Sequence, residues 1–242
     1  DGLQSTNEEE EGKGILTIES GTFTITAAAD GIQAATNLQI LGGDFTITTG
    51  GGSANSSTTS EAWGTWGAPT EEAATTTTEE TTSAKGLKAT GSLAISGGTF
   101  VLDTSDDALH TNDTIQITGG DFTIASGDDG IHADNTVTID DGTIDINQSY
   151  EGIEATKIIL NGGKITLTAT DDGINAAGGN DASAVSGRPG ENTFTSTAEG
   201  AGLLTINGGT LVVNASGDGL DSNGSIEMND GTVVVNGPTD SM

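Results

Sequence analysis

A repeat of 21 or 22 residues runs through most of the chain and constrains its fold more than any other feature. Each repeat is marked by a glycine, then Thr, Asp or Lys, then a large apolar residue. The marker begins at Gly21, Gly43, Gly98, Gly120, Gly142, Gly163, Gly209 and Gly231. Two longer intervals predict inserted loops at about 50–84 and 178–200. A fixed period of this length is typical of solenoid proteins, in which each repeat is one structural unit.

Stacking the repeats aligns their apolar residues into columns. The first column contains Phe23, Phe45, Phe100, Phe122, Ile144, Ile165, Leu211 and Val233, and a second lies two residues later. This period of two predicts a β-strand with one buried face. Two further short apolar segments complete each repeat, and none has helical periodicity. The sequence therefore predicts an all-β protein, a single parallel β-helix domain over residues 1–242 with about eight coils of roughly 22 residues each.

Both ends of the sequence are predicted to lie in mid-coil. The segment 1–5 resembles 30–34, the middle strand of a coil, and 231–242 covers only a first strand and its turn. End coils of a solenoid need caps or partners. Two interpretations stay open: the segment belongs to a longer β-helix, or head-to-tail self-association completes a coil between two copies.

The charge balance excludes several classes of function. The chain has 36 Asp and Glu against 6 Lys and Arg, a formal net charge of −30 and a pI near 4.1. A nucleic-acid binder or an anionic-membrane binder that works through a basic patch is therefore excluded. No apolar run approaches the roughly 18 residues of a membrane span, so no membrane insertion is predicted. The absence of cysteine excludes a disulfide framework and thiolate chemistry.

The turn between the first and second strands of a coil is acidic. Five such turns read Asp106-Asp107-Ala108-Leu109-His110, Asp128-Asp129-Gly130-Ile131-His132, Tyr150-Glu151-Gly152-Ile153-Glu154, Asp171-Asp172-Gly173-Ile174-Asn175 and Gly217-Asp218-Gly219-Leu220-Asp221. The apolar residue is predicted to point into the core, and the residue after it to point outward beside the acids. Coils about 4.8 Å apart would make neighbouring carboxylates repel by about 3–4 kcal/mol per pair at an effective dielectric constant of about 20.

Two arrangements would relieve this repulsion. The carboxylates could extend into solvent from ordinary Asp-Gly turns, or successive turns could share several Ca²⁺ ions, which prefer six to eight oxygen ligands. The doubled Asp and the outward acid three residues later favour calcium, because turn chemistry requires neither. The turn acids Asp106, Asp107, Asp128, Asp129, Glu151, Asp171, Asp172 and Asp218 and the outward Glu154 and Asp221 are the candidate ligands.

The segments Gly-Thr-Phe-x-Ile, Asp-Asp-Gly-Ile-His-Ala-Asp and Val-x-Ile-x-Gly-Gly resemble a family of secreted bacterial carbohydrate-binding proteins. The resemblance covers nearly every coil from Gly21 to Met242, outside the two insertions. It implies a right-handed parallel β-helix like that of pectate lyases, particularly polysaccharide lyase family nine. It also implies cellulose or acidic pectic sugars as ligands and several bound Ca²⁺ ions.

The resemblance also implies calcium ligands in this chain. They are Asp128, Asp129, Glu151, Glu154, Asp171, Asp172, Asn175, Asp218 and Asp221, and we add Asp134, the last residue of the second segment. The sequence departs from the family's pattern in three coils. Lys85 and Lys88 stand where one coil would carry acids, and His110 and His132 replace the outward acid in two others.

Six side chains are candidates for binding or catalysis. Lys88 is a weak candidate for the base of a calcium-assisted β-elimination, with Arg188 as the other cationic choice; alternatively, Lys88 is a counter-charge to nearby acids. His110 and His132 are predicted to stack and to bind a sugar hydroxyl or a metal, or to be ordinary surface residues. Trp63 and Trp66, in the first insertion, would offer flat faces to sugar rings or cover an apolar strand.

Together these features predict an extracellular or cell-surface protein that is stabilised by calcium and binds a polysaccharide partner without catalysis. One alternative is a structural subunit that assembles head-to-tail into an extracellular filament. The other is a calcium-dependent polysaccharide lyase, which rests on fold analogy and Lys88.

Overall fold

The computed structural model describes residues 1–56, 83–177 and 202–239. This part of the chain is almost entirely β-structure, and its one helical element is a 3₁₀ turn at Ser53–Asn55. The strands are β1 (Leu3–Ser5), β2 (Leu16–Ile18), β3 (Thr22–Ala27), β4 (Ile32–Ala34), β5 (Leu38–Ile40), β6 (Asp44–Thr49), β7 (Leu87–Ala89), β8 (Leu93–Ile95), β9 (Thr99–Thr104), β10 (Leu109–Thr111), β11 (Thr114–Ile117), β12 (Asp121–Ser126), β13 (Ile131–Ile139), β14 (Thr143–Gln148), β15 (Ile153–Leu160), β16 (Lys164–Ala169), β17 (Ile174–Ala176), β18 (Leu203–Ile206), β19 (Thr210–Ala215), β20 (Leu220–Ser222), β21 (Ser225–Met228) and β22 (Thr232–Asn236).

The strands form two sheets in which every pairing is parallel. The first strands of successive repeats make an eight-stranded sheet in the order β22-β19-β16-β14-β12-β9-β6-β3. The remaining 14 strands form the second sheet, and the long strands β13 and β15 join its two rows. Each strand thus pairs with its counterparts in the neighbouring repeats. This confirms the predicted all-β, parallel, solenoid-like arrangement, which is compatible with a β-helix.

Alternating burial along the first strands explains why the repeats stack. In β9, exposed or half-buried residues alternate with buried Phe100, Leu102 and Thr104. Phe100 stacks on Phe45 and on Phe122, with ring centroids 4.8 and 4.5 Å apart. Because identical positions lie above one another, the apolar columns of the sequence become the continuous core of the molecule.

The marker glycines are required by the backbone at the turn before each first strand. All eight have positive φ, as at Gly43 with +124°. A Cβ atom on Gly43 would also lie 2.8 Å from the carbonyl oxygen of Gly21 in the preceding repeat. Any other residue would therefore be strained and would push the coils apart.

The last described strands leave apolar side chains uncovered. Ile226 and Met228 in β21 and Val234 and Val235 in β22 are exposed, and β22 is the edge of its sheet. In the described ranges no helix has the length and hydropathy needed to cross a bilayer.

Candidate functional site

The acidic turns stack into two columns of side chains. The turn column consists of Asp30, Lys85, Asp107, Asp129, Glu151, Asp172 and Asp218, whose carbonyl oxygens each accept a hydrogen bond from the coil before. The strand column lies three residues later and consists of Gln33, Lys88, His110, His132, Glu154, Asn175 and Asp221, paired in register. We call the two columns together the turn ladder. Residues 21 to 55 positions apart in sequence become neighbours in it.

At the N-terminal end of the turn ladder, lysines neutralise the acids. The Nζ atom of Lys85 lies 2.7 Å from Asp106 Oδ1 and 2.8 Å from Asp107 Oδ2. Burial alone would lower the pKa of Lys85, but Asp107 and Asp106 outweigh it and raise that pKa above its usual range. Burial alone would raise the pKa of Asp107, but Lys85 and His110 outweigh burial and hold the pKa of Asp107 well below its ordinary value. Both charges therefore persist in the folded protein.

Lys88 has the contacts of a counter-charge. Its Nζ lies 3.0 Å from Asp30 Oδ2 and donates to Ser83 Oγ at 2.9 Å. Asp30 was not among the predicted site residues, although it precedes a glycine as Asp129, Asp172 and Asp218 do. That shared Asp-Gly position was the signal available for finding it.

In the centre of the turn ladder, two stacked histidines lie among carboxylates. The rings of His110 and His132 have centroids 5.0 Å apart. His110 Nδ1 lies 2.7 Å from Asp107 Oδ2. His132 Nδ1 lies 3.1 Å from Asp129 Oδ2 and 2.9 Å from Glu154 Oε2. Burial alone would lower the pKa of His132, but its hydrogen bonds to Asp129, Asp134 and Glu154 outweigh burial and raise that pKa above its usual range.

Of the alternatives for the two histidines, the one that makes them ordinary surface residues is wrong. His110 is 6% exposed and His132 is fully buried. Both rings turn away from the apolar core, as the alternation predicts, but Asp107 contacts His110, and Asp129, Asp134 and Glu154 contact His132. Asn175, also predicted to point outward, is only 1% exposed for the same reason.

At the C-terminal end the acids lack such partners. Asn175 Nδ2 donates to Glu151 Oε1 at 3.0 Å. The remaining oxygens, Glu151 Oε2 and Asn175 Oδ1, are buried and have no hydrogen-bond partner among the described residues. Burial and the neighbouring Glu154 raise the pKa of Glu151 well above its ordinary value. Within the described ranges, no ion pair joins a lysine to Glu151, Asp172, Asp218 or Asp221.

The other predicted ligands at this end, Asp172, Asp218 and Asp221, lie in the same two columns. Asp172 Oδ1 accepts a hydrogen bond from the backbone N–H of Asp218 at 2.6 Å. Burial and then Asp171 raise the pKa of Asp172 to about 6, despite that hydrogen bond. Asp221 lies in register with Asn175, and Asp218 is exposed. The C-terminal acids therefore range from the buried Glu151 to the solvent-exposed Asp218.

Asp128 and Asp129 bring further charge to the centre of the ladder. Both are buried, and burial together with Asp128 raises the pKa of Asp129 well above its ordinary value. Asp134 lies 3.4 Å from His132 Nε2, so the structure brings it to the site as well. Trp63, Trp66 and Arg188 lie outside the described residues.

Three groups in the ladder bring possible metal-ligand atoms within 4.8 Å of one another. They are Asp107-His110-His132, Asp129-His132-Glu154 and Asp106-Asp107-Asp128. Lys85 already contacts Asp107, which belongs to the first and third groups. The group around Asp129 and Glu154 contains no lysine.

A shallow depression lies elsewhere, over the marker glycines. It is lined by Gly120, Asp121, Gly142, Thr143 and Lys164, among others. This lining has no aromatic ring on which a sugar could stack, so the turn ladder is the stronger candidate site.

The fold and the ladder define an acidic, all-β, solenoid-like protein. The chain belongs to the family of carbohydrate-binding domain-containing proteins, whose model matches it twice in succession, over residues 1–130 and 128–241. No curated protein and no solved structure matches the chain. The family indicates a polysaccharide as the partner.

Proposed function

We propose that the chain is an extracellular, non-catalytic module that binds acidic or cell-wall polysaccharide, such as pectin-like chains or cellulose. In this proposal it is a right-handed parallel β-helix of about eight coils, stabilised by several Ca²⁺ ions in its turn ladder. Family membership supports carbohydrate binding. The handedness, the extracellular location and calcium rest on the resemblance to secreted proteins and on the acidic turns.

The observation that carries the calcium proposal is the pair of buried oxygens at Glu151 and Asn175. A buried acceptor without a partner costs about 1–3 kcal/mol, and more for a charged group. A proton on Glu151 Oε2 would itself need an acceptor, and it would leave Asp172, Asp218 and Asp221 repelling one another. A cation would satisfy both oxygens and neutralise the acids.

The donor set at this end favours calcium over other ions. Glu151, Asp172, Asn175, Asp218 and Asp221 supply only carboxylate and amide oxygens, which are the hard ligands that Ca²⁺ prefers. Bound calcium would neutralise these acids and offer its remaining coordination positions to uronate carboxylates. Because Asp218 is exposed and Asp221 is half-buried, a polysaccharide could approach from this side.

The test is binding to polygalacturonate and to insoluble cellulose, each in calcium and in chelator. We expect pelleting with polysaccharide only in calcium, and its loss in Asp172→Asn. Asp121→Asn is the matched control, because it removes the same charge from an exposed position outside the ladder. Equal binding in calcium and in chelator would overturn the calcium mechanism. Binding to neither polysaccharide would show that polygalacturonate and cellulose are not what the protein binds.

Head-to-tail assembly is a second candidate, favoured by the exposed Val234 and Val235 on the edge strand β22. An open strand edge with apolar side chains is a template for pairing with another chain. We expect sedimentation velocity to show concentration-dependent oligomers that Val234→Lys abolishes. A monomer at every concentration would remove this candidate.

The lyase alternative has less support. A β-elimination base must be free to take a proton, whereas Lys88 is paired with Asp30. Absence of an unsaturated, ultraviolet-absorbing product after incubation with polygalacturonate and calcium is the expected result.

A further inference from the structure

We infer that Asp129, His132 and Glu154 form a separate site for a transition-metal ion of the zinc class, with Asp134 as the outer partner of the histidine. We call this group the imidazole site. It lies in the centre of the turn ladder and does not depend on the proposed calcium region or on polysaccharide binding.

Two carboxylates converge on one ring nitrogen. His132 Nδ1 lies 3.1 Å from Asp129 Oδ2 and 2.9 Å from Glu154 Oε2. A single N–H cannot point well at both oxygens. Around a tetrahedral zinc ion with ligands at about 2.0–2.2 Å, neighbouring ligand atoms lie roughly 3.3 Å apart. The two nitrogen–oxygen distances therefore differ from this spacing by only a few tenths of an ångström, and the possible ligand atoms of the three residues lie within 4.8 Å of one another.

The far side of the ring has the partner that metal-bound histidines use. His132 Nε2 lies 3.4 Å from Asp134 Oδ1. Histidines that bind metal through one nitrogen usually donate from the other to a carboxylate, which fixes the tautomer. Asp134 would hold the proton on Nε2 and leave Nδ1 free to bind.

The neighbouring coil shows why this site, and not the one beside it, would take an ion. His110 and Asp107 repeat the pairing of His132 and Asp129, but Lys85 contacts Asp107 at 2.8 Å. In the strand column, the neighbour of His110 in the next coil is His132, whereas the neighbour of His132 in the next coil is the carboxylate Glu154. The imidazole site thus has one more carboxylate and no lysine.

The ligand chemistry and the burial select the class of metal. Imidazole nitrogen suits zinc and its neighbours, whereas calcium prefers oxygen alone. His132 is fully buried and Asp129 is 5% exposed, while the Glu154 side chain is 20% exposed and leaves a route for the ion. Binding would release the Nδ1 proton of His132, because a metal ligand must be deprotonated.

The experiment is a calorimetric titration of the untagged full chain with Zn²⁺ in excess Ca²⁺. We expect one zinc per chain and a loss of affinity of at least tenfold in His132→Gln. His110→Gln is the matched control, since glutamine already occupies this column at Gln33. It keeps all three ligands of the imidazole site and should therefore weaken binding much less than His132→Gln does. Asp134→Asn keeps all three ligands and should weaken binding by about 10–100-fold.

A second readout identifies the nitrogen that binds. The chain has only two histidines, so ¹⁵N spectra of the imidazoles resolve each ring. We expect Zn²⁺ to give one ring the signature of an imidazole that is bound through Nδ1 and protonated on Nε2, and this signal to be absent in His132→Gln. Unchanged ring spectra at stoichiometric zinc, equal loss of affinity in both glutamine variants, or displacement of zinc by excess calcium would overturn the proposal. If His132→Gln fails to fold, Asp134→Asn decides between these outcomes.

Discussion

The N-terminal and C-terminal parts of the turn ladder share one backbone but neutralise their carboxylates differently. In the N-terminal part, Lys85 and Lys88 contact Asp30, Asp106 and Asp107. In the C-terminal part, Glu151 and Asn175 keep buried oxygens without partners. Since the stacking of carboxylates is the same in both parts, the difference lies in where the positive charge comes from. The N-terminal part has its own cations, and we propose that the C-terminal part takes them from solution.

The largest effect should follow from removing the internal cation. Lys85→Met would remove the ammonium group that contacts the buried Asp107 and the half-buried Asp106, and His110 would be the remaining cationic side chain in contact with Asp107. Removing one partner of a buried ion pair typically costs about 3–5 kcal/mol. We expect the midpoint of urea unfolding to fall accordingly, in calcium and in chelator alike. Lys164→Met, at an exposed position outside the ladder, is the control and should change stability by less than about 0.5 kcal/mol. A loss below about 1 kcal/mol for Lys85→Met would show that the ion pairs are not what stabilises the N-terminal part.

Removal of calcium should affect the other part of the ladder. At a calcium concentration of about 100 Kd, one site contributes about 2.7 kcal/mol, and chelation removes this. We expect hydrogen exchange to accelerate on chelation in peptides that contain Glu151, Asn175 and Asp221, and to stay unchanged around Lys85 and His110. Uniform acceleration along the chain would contradict the proposed difference between the two parts of the ladder, because it would mean that both parts depend on calcium.

The architecture of the protein could be predicted from its sequence because the repeat fixes it. A solenoid places every residue above its counterpart one period away, so aligning the repeats is enough to place His132 beside Glu154, as the structure confirms. The glycine marker adds a backbone constraint, since the turn needs positive φ at positions such as Gly43. Period and conformation together leave few other folds.

The partners within the ladder could not be predicted in the same way. Lys85 reaches forward to the next coil, whereas Lys88 reaches back to Asp30. The alignment gives both lysines the same neighbours, and only side-chain conformation decides between the two directions. The burial of His132 likewise depends on how Asp129 and Glu154 turn toward it. Such contacts depend on side-chain rotamers, and an alignment of residue types carries no information about rotamers.

Moving a lysine to the C-terminal part would test whether the two parts are interchangeable. Asp172→Lys places an ammonium group in the turn column between Glu151 and Asp218, as Lys85 stands between Asp30 and Asp107. We expect stability in chelator to rise by about 1–2 kcal/mol, because one repulsive charge is replaced by an attractive one. The gain on adding calcium should shrink in thermal unfolding. A variant that still needs calcium as much as the wild type would show that charge alone does not explain the difference.

The smallest effect should be a pH dependence that has opposite signs with and without calcium. Burial and Asp171 raise the pKa of Asp172 to about 6 in the folded protein, above the roughly 3.9 of an unfolded chain. The folded state therefore binds more protons than the unfolded state between these values, and stability in chelator rises as pH falls from about 7 to 4. We expect this acidification to raise the melting temperature, and the gain to be about 2–4 °C smaller in Asp172→Asn than in the wild type. A gain remains in the variant because the pKa values of Glu151 and Asp129 are also raised in the folded protein. In saturating calcium the same acidification should lower the melting temperature, because protons compete with the ion for the carboxylates. An identical pH profile in both conditions would mean that Asp172 is not a ligand, and the unpaired oxygens of Glu151 and Asn175 would then need a partner other than calcium.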